Sequence, residues 1–259
     1  MLQLLMDVVN DVSNEKYLTQ NLEPVCVEDQ EDQYGSIISK DGSHNIKHKK
    51  LTEDEMIAQC VSFFTAGFET TALTLSYVAY SLALNPDCQE KLIQEIDSAF
   101  ESHKVMNYDA VRDMKYLDCV ISETLRMYPP SITVQRSAAE NYVVKDLGLT
   151  IEKGVIINIP VYSMHFDPEF FPEPEKFKPE RFLERSHPQY AYLPFGAGPR
   201  NCLGMRFALM QIKMCMSNIL RHYRFRLADN TKVPIEFNIG SVFLTVNELP
   251  LKIEKRNDL

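Results

Sequence analysis

Apolar residues recur along most of this chain at the three- and four-residue spacing of helices that are apolar on one side. The stretch from Met1 to Val12 shows this spacing and predicts an amphipathic helix. Residues 21–50 are mainly polar, with an acidic run followed by a basic run, and predict a mobile connector. A longer helix is predicted over residues 52–84, because Thr52-Glu53-Asp54-Glu55 is a capping box. Asn85-Pro86 both ends that helix and caps the next one.

The predicted helix over residues 52–84 carries Glu69 as its one charged side chain between Met56 and Ala83. We therefore expect it to be buried on nearly all sides. A membrane or interaction protein that uses residues 56–83 as a transmembrane span is the alternative. A central acid would cost about 2–3 kcal/mol in lipid, and many hydroxyl side chains lie along the same stretch, so a buried helix is favoured.

The remaining periodic and β-rich stretches predict a mixed architecture. Helices are expected over residues 86–102, 108–114, 117–125 and 205–223. Two β-rich runs between residues 142 and 159 flank Lys153-Gly154 and predict a hairpin. Residues 160–179 hold several prolines without periodicity and predict an ordered loop. Strands are expected over Ser241–Val246 and Leu249–Glu254.

Composition narrows the possible functions only slightly. The net charge of −9 argues against a general nucleic-acid binder, so no nucleic-acid partner is expected. The six cysteines form no C-x-x-C pair, which makes a zinc finger or a dithiol site a poor fit and favours free thiols in a reducing compartment. His165 precedes Asp167-Pro168 without a second ligand nearby, so we expect a hydrogen-bonded loop residue rather than a metal ligand.

The most informative stretch is Phe195-Gly196-Ala197-Gly198-Pro199-Arg200-Asn201-Cys202-Leu203-Gly204. Gly196 and Gly198 can take positive φ and let the backbone approach a flat ligand closely. Cys202 comes just before a predicted helix, where free N–H groups and the helix dipole stabilise a thiolate. A thiolate is one of the few protein ligands of haem iron. The alternative is a loop that leads into a helix and buries a structural cysteine.

Two further stretches place charged and polar side chains in unusual positions. Ala66-Gly67-Phe68-Glu69-Thr70-Thr71 sets an acid and an alcohol in an apolar helix, together with a glycine that costs up to ~1 kcal/mol relative to alanine. This pattern indicates a local opening of the helix beside a cofactor, with Glu69 and Thr70 handling protons. Alternatively, Thr70 bonds back to the carbonyl of Ala66 while Glu69 forms a salt bridge. Glu123 and Arg126 are spaced to pair on a helix, and an exposed pair of little energetic value is their alternative.

These motifs together resemble the cytochrome P-450 superfamily. Phe-Gly-x-Gly-x-Arg-x-Cys-x-Gly resembles its haem-ligand loop, and residues 66–71 resemble its oxygen-activation motif. Glu123-Thr124-Leu125-Arg126 resembles its Glu-x-x-Arg signature, which is completed by Arg181 of Pro179-Glu180-Arg181-Phe182. Met205-Arg206-Phe207-Ala208-Leu209 is most similar to animal microsomal members that handle steroids and xenobiotics. The resemblance implies a mainly α fold with small β-sheets, here as one partial domain over residues 1–259.

The resemblance also implies the roles of particular residues. Cys202 is expected to be the axial ligand of the iron of haem b, and Glu69 with Thr70 to deliver protons to dioxygen. Glu123, Arg126 and Arg181 are expected to form a structural network that supports cofactor loading. The other expected cofactor-binding residues are Arg136 and Arg200, as partners of the haem propionates, with Phe195, Gly196, Gly204 and Ala66. The expected substrate-pocket residues are Ser131, Ile132, Thr133, Ser241 and Val242.

The implied reaction inserts one oxygen atom from O2 into an apolar small molecule such as a steroid, lipid or xenobiotic. NADPH–cytochrome P-450 reductase would deliver the electrons, with cytochrome b5 as an additional partner, at the cytosolic face of the endoplasmic reticulum membrane. By resemblance, roughly the N-terminal half of a family member is missing, including the membrane anchor and part of the haem cradle. The alternatives are a non-catalytic fragment that does not hold haem, and a haem-thiolate isomerase or peroxygenase that needs no reductase.

Overall fold

The computed structural model describes residues 51–184, 187–241 and 243–257. The helix predicted for residues 1–12 and the connector predicted for residues 21–50 lie outside this range. The chain divides into two compact units, Met1–Phe68 and Glu69–Leu259. The helices are α1 Glu53–Leu84, α2 Pro86–His103, α3 Tyr108–Arg112, α4 Lys115–Met127, α5 Val161–His165 and α6 Met205–His222. The strands are β1 Val134–Ser137, β2 Tyr142–Val144, β3 Leu149–Ile151, β4 Ile156–Ile159, β5 Tyr223–Leu227 and β6 Leu251–Lys255.

The described part of the chain is therefore mainly helical with small two-stranded sheets, which confirms the predicted fold class. Helix α1 begins as its capping box predicts. The N–H of Glu55 donates to Thr52 Oγ1 at 3.3 Å, and the N–H of Thr52 donates to Glu55 Oε2 at 2.8 Å. The helix then continues without a break to Leu84, so the local opening expected at residues 66–71 is not present.

The prediction that α1 is buried on nearly all sides is wrong for its first half. Phe64 and Phe68 are 73% and 68% exposed, whereas Tyr77 and Leu82 further along the helix are fully buried. An apolar composition shows that a helix can be buried. It does not show which parts of the helix other elements will cover. Among the described residues, no helix has both the length and the hydropathy needed to cross a bilayer.

The junction between α1 and α2 differs in detail from the prediction. Asn85 is the N-cap residue of α2, as predicted, but its side chain does not cap that helix; its Nδ2 donates to the Ser81 carbonyl at 2.8 Å, at the end of α1. Pro86 begins α2, since a proline has no N–H to leave unpaired at a first helical position. Leu92, Ile93 and Ile96 of α2 are all buried, so this helix is apolar on the side that faces the core.

The short strands pair differently from the sequence prediction. The predicted hairpin around Lys153-Gly154 is wrong, because β2 pairs with β3 across Gly148, while β4 pairs with β1. Both glycines have positive φ, so both permit a turn, and the sequence alone does not show which one closes a ladder. Within residues 160–179, which were expected to form only a loop, the short helix α5 follows Pro160 directly.

The carboxy-terminal strands also find other partners. β6 pairs antiparallel with β5, which follows α6 directly, rather than with the predicted strand Ser241–Val246. The described residues of that stretch form one isolated bridge, between Phe243 and Ser131. Alternation along the sequence identified strand-forming stretches, but pairing depends on which backbone lies alongside in three dimensions.

The main hydrophobic core lies among the second half of α1 and helices α2, α4 and α6. Gln89 is 2% exposed and ties this core to β5. Its Nε2 donates to the carbonyls of Leu82 and Phe225, and its Oε1 accepts from the N–H of Phe225 at 2.7 Å. Glu95 of α2 caps the start of α4 by accepting from the N–H groups of Tyr116 and Leu117, at 2.8 and 2.9 Å. Polar side chains thus fix the spacing of elements that apolar packing alone would leave adjustable.

A buried charge network joins α4 to the segment around residues 172–181. Glu123 and Arg126 are both fully buried, and Arg181 is 10% exposed. Arg126 donates its Nε and Nη2 to the two carboxylate oxygens of Glu123 at 2.8 and 3.0 Å. Arg181 donates its Nε to Glu123 Oε1 at 3.0 Å, and the backbone N–H of Lys178 donates to the same oxygen at 2.9 Å. One carboxylate therefore holds two guanidinium groups.

The two arginines use their remaining donors on backbone carbonyls. Arg126 reaches the carbonyls of His165 and Pro174, at 2.9 and 2.8 Å. Arg181 reaches the carbonyl of Pro172 at 3.0 Å. The Arg126 guanidinium also lies over the rings of Phe166 and Phe171, at 5.4 and 5.6 Å from their centroids. A buried charge is costly unless it is paired and hydrogen-bonded. This arrangement therefore specifies one conformation for the proline-rich segment, residues 172–181.

His165 ends α5 and is fully buried. Its Nδ1 lies 3.1 Å from the carbonyl of Arg126, which belongs to the last turn of α4 and has no partner within its own helix. Burial lowers the pKa of the imidazole to about 3, and the nearby charge of Arg126 adds to the lowering. His165 is therefore neutral in the folded chain at ordinary pH.

We expect Glu123→Gln to lower the free energy of unfolding by about 3–5 kcal/mol, because Arg126 would stay buried without its anion. Urea denaturation followed by circular dichroism measures the loss. Asp109→Asn is the control, since Asp109 forms an exposed pair of the same i,i+3 spacing with Arg112 and should change stability little. Equal losses in the two variants would contradict a special role for the buried network.

We expect His165 to make stability depend on pH. The folded chain protonates this group near pH 3 and the unfolded chain near pH 6.5, so between these values the unfolded chain binds more protons. The contribution of His165 to stability is therefore complete above pH 6.5 and is lost as the pH falls toward 3, with a slope of up to about 1.4 kcal/mol per pH unit. Denaturation of the unaltered chain and of His165→Gln across this range should show a shallower slope in the variant. Identical slopes in the two proteins would show that His165 does not make stability depend on pH.

Candidate functional site

The loop of residues 195–204 is built from two glycine turns. Gly196 and Gly198 have φ of +69° and +74°, a region that favours glycine because it has no Cβ. The N–H of Cys202 donates to the carbonyl of Phe195 at 2.8 Å and closes the loop on itself. Phe195 packs against the main core and anchors the start of the loop. Gly204 is the N-cap of α6, so the cysteine stands just outside the amino terminus of an 18-residue helix.

The Cys202 side chain and its apolar neighbours face outward. Cys202 is an exposed free thiol, and Leu203 and Phe207 beside it are 85% and 62% exposed. Large apolar side chains rarely stay exposed next to one another without a ligand or partner to cover them. The buried structural cysteine that was the alternative from the sequence is therefore wrong for Cys202. Neither Leu203 nor Phe207 was predicted to be a contact residue, although they follow the cysteine by one and five positions.

Two basic side chains lie at one side of this loop. Arg136 on β1 directs its Nη2 at the carbonyl of Arg200, at 3.5 Å; Arg136 is half-buried and Arg200 is exposed. A cavity of about 420 Å³ lies between β1, β4 and the loop. Its lining residues are Val134, Arg136, Ile159, Met164, Tyr190, Leu193, Gly196, Ala197 and Gly198. The structure thus brings Arg136 and the glycine turns together around a mainly apolar space with one positive edge.

Glu69 and Thr70 lie on α1, which carries no break at this point. Glu69 is exposed and Thr70 is half-buried, and the carbonyl of Thr70 accepts a hydrogen bond from Thr74 Oγ1 at 2.9 Å. Ala66, which was predicted to contact the cofactor, is exposed on the first half of the same helix. Glu69 is thus exposed on the helix surface, and Thr70 beside it is partly covered.

Two predicted pocket segments meet in the structure. Ser131 bridges to Phe243, and the N–H of Leu244 donates to the carbonyl of Pro130 at 3.0 Å. Ser131 Oγ donates to the Thr133 carbonyl at 2.8 Å, and the Ile132 carbonyl accepts from the N–H of Tyr162. In the other segment, Ser241 Oγ accepts from the N–H of Phe243. Val242 lies outside the described residues.

The network of Glu123, Arg126 and Arg181 is connected to the cysteine loop through an intervening residue. The link is His165, whose Nε2 accepts a hydrogen bond from the N–H of Leu193 at 2.9 Å. Tyr192 adds a second link, since its hydroxyl donates to the Ser122 carbonyl of α4 at 2.9 Å. Neither hydrogen bond was predicted from the sequence. Only the spacing of His165 before Asp167-Pro168 offered a signal, and it did not identify a partner.

Metal binding by several protein side chains has no support in this part of the chain. Within residues 51–184, 187–241 and 243–257, no group of three or more His, Cys, Asp and Glu side chains is placed to hold a metal ion. A single cysteine with an apolar surround and nearby guanidinium groups suits an iron porphyrin that bears carboxylates.

A family model described as cytochrome P-450 matches residues 1–253 of the chain. Individual relatives agree with it. Cytochrome P-450 3A2 of Rattus norvegicus is 43% identical over 215 residues, which are 82% of this chain and 42% of the relative. Cytochrome P-450 3A7 of Homo sapiens is 39% identical over 225 residues, which are 86% of this chain and 44% of the relative. Cytochrome P-450 3A40 of Oryzias latipes is 40% identical over 221 residues, with 84% and 44% covered.

The chain thus spans less than half the length of the curated relatives that it matches. The match nevertheless includes the exposed cysteine loop, the buried charge network and the long helix α1. With a family model that covers nearly the whole sequence, and with relatives at about 40% identity, the chain belongs to the cytochrome P-450 family.

Proposed function

We propose that this chain carries the haem-thiolate site of a monooxygenase and that Cys202 is the axial ligand of haem b. The observation that carries the proposal is the exposed thiol on a closed glycine loop, flanked by exposed Leu203 and Phe207. When bound, the haem would supply the activation of O2 that protein side chains cannot perform. The chain itself would hold the group, shape the space beside it and move protons.

The residues around the cysteine loop match the iron, the macrocycle and the carboxylates of haem. Cys202 offers a soft thiolate for the iron, and Gly196 allows close approach of the loop, with the support of Phe195 and the helix cap Gly204. Leu203 and Phe207 offer apolar surface for the macrocycle. Arg136 and Arg200 offer guanidinium groups that suit carboxylates, because a guanidinium donates two parallel hydrogen bonds.

We assign proton handling to Glu69 and Thr70. An exposed carboxylate can exchange protons with water, and a neighbouring hydroxyl can both accept and donate one. The pair therefore suits stepwise delivery of protons to the reacting oxygen. The segments of Ser131–Thr133 and Ser241–Val242 would line the space for an apolar substrate.

The reaction that follows from this site is insertion of one oxygen atom from O2 into an apolar small molecule, with reduction of the second atom to water. The two electrons would come from NADPH through a flavoprotein reductase, with cytochrome b5 as a further donor. We place the protein at the cytosolic face of the endoplasmic reticulum membrane, by analogy with the microsomal members of the family. A steroid, lipid or xenobiotic is the substrate class.

We expect the dithionite-reduced chain with carbon monoxide to show the far-red-shifted Soret band of a thiolate-ligated haem. Cys202→Ser should abolish this band, because a hydroxyl does not replace a thiolate on iron. Cys215→Ser on α6 is the matched control, since that half-buried thiol should not reach the haem and the band should remain.

A far-red-shifted band that remains in Cys202→Ser would overturn this assignment. Loss of the band in both cysteine variants would point to a general folding defect rather than to ligation. A soluble, folded chain that takes up no haem would show that residues 1–259 do not form a complete site, which favours the alternative of a non-catalytic fragment.

We expect Thr70→Ala to let electrons leak to hydrogen peroxide while haem binding is retained. The amount of product per NADPH consumed should fall by about tenfold or more, since a positioned proton donor is worth about 10²–10⁴ in rate. Ser76→Ala is the control, because Ser76 is a hydroxyl residue of the same helix whose Oγ donates to the Ala72 carbonyl at 2.9 Å. NADPH oxidation, peroxide and product are measured in the haem-loaded chain with reductase. Unchanged coupling in Thr70→Ala would remove that role, and turnover with peroxide alone would favour a peroxygenase.

A further inference from the structure

His165 lies between the buried charge network and the cysteine loop. Its Nδ1 is 3.1 Å from the Arg126 carbonyl at the end of α4, and its Nε2 is 2.9 Å from the N–H of Leu193. Leu193 stands two residues before Phe195, where the glycine loop begins. One fully buried imidazole therefore joins the last turn of a core helix to the segment that leads into the loop.

The two partners dictate the protonation of this ring. A backbone carbonyl only accepts, so Nδ1 must carry the hydrogen, and a backbone N–H only donates, so Nε2 must be bare. The neutral ring with its proton on Nδ1 is the one form that satisfies both bonds. The ring also stacks on Tyr192 at 5.2 Å and meets Phe171 edge-on at 6.2 Å, and these contacts hold its orientation.

The hydrogen bonds continue from Leu193 to the cysteine. The Leu193 carbonyl accepts from the N–H of Gly196 at 3.1 Å, and the Phe195 carbonyl accepts from the N–H of Cys202 at 2.8 Å. At the other end, the carbonyl of His165 accepts from the Arg126 guanidinium at 2.9 Å. A short series of polar contacts therefore runs from Glu123 to the proposed iron ligand.

We propose that His165 is a positioning residue for Cys202: its ring holds the Leu193 peptide in place and thereby fixes the start of the cysteine loop. The functional meaning of this role rests on the proposed function, since the position of the thiol matters only if it binds iron. Removal of the bond to Leu193 leaves that buried N–H without an acceptor, which loosens the loop at its base.

Two substitutions separate the two hydrogen bonds. His165→Gln places an amide oxygen near the position of Nε2 and can still accept from Leu193. His165→Asn is one bond shorter, so it keeps a polar group near Nδ1 but does not reach Leu193. A positioning role predicts different behaviour from these two variants, whereas a role in burial alone predicts similar behaviour.

Amide hydrogen exchange in the cofactor-free chain, followed by NMR, tests the role directly. In His165→Asn we expect exchange at Leu193, Gly196 and Cys202 to be about five- to tenfold faster than in His165→Gln. Gln89→Met is the control, because Gln89 is an equally buried bridge that contacts Phe225 and not the loop. Equal loop exchange in the Asn and Gln variants, or the same acceleration in the Gln89 variant, would overturn the proposal.

A measurement on the unaltered chain avoids any risk that a variant does not fold. Proton–nitrogen correlation of the imidazole should show the hydrogen of His165 on Nδ1 at neutral pH. A proton on Nε2 would exclude the bond to Leu193 and overturn the proposal.

The carbon monoxide spectrum connects the position of the loop to haem. In the haem-loaded chain we expect His165→Asn to lose more of the far-red-shifted band than His165→Gln, because a displaced thiol ligates a smaller fraction of the iron. Equal bands would overturn the positioning role. If the unaltered chain binds no haem, the proposed function fails, while amide exchange and the ring tautomer still decide the role of His165.

Discussion

The architecture around the candidate site depends on one buried carboxylate. Glu123 accepts from Arg126, from Arg181 and from the backbone N–H of Lys178, and it lies wholly away from water. A buried ion is tolerated only where its partners are complete, so this residue selects one arrangement of α4 and the proline-rich segment. Arg126 then holds the carbonyl of His165, which places the imidazole against Leu193. The conformation of the cysteine loop therefore depends on the ion pair of Glu123 and Arg126, which is distant from the loop in the sequence.

The loop itself combines rigid and open features. Positive φ at two glycines and a backbone hydrogen bond from Cys202 to Phe195 give it a defined shape. Its outer face carries an exposed thiol and two exposed apolar side chains, while Arg136 and Arg200 lie at one side. A site that binds a large flat cofactor needs this combination, because a preformed loop orders fewer groups when the ligand arrives. The family assignment and the local chemistry thus agree.

Helix α1 is covered by the hydrophobic core along only part of its length. Its second half is part of the main core, whereas Phe64 and Phe68 on its first half are exposed. The chain spans less than half the length of its curated relatives. Haem binding would itself stabilise the folded chain, since a ligand that binds only the folded state adds to its stability.

The sequence by itself determined the longer helices, because capping residues, prolines and apolar periodicity act over a few residues; the short helix α5 was not predicted. Thr52, Pro86 and the glycine loop were all identified in this way, as was the i,i+3 spacing of Glu123 and Arg126. Strand pairing, the exposure of α1 and the partners of His165 were decided only by the tertiary structure. A β-rich run does not state which backbone lies beside it, and an apolar helix does not state what covers it. The bond between His165 and Leu193 joins residues 28 positions apart, and such a contact exists only once the chain has folded.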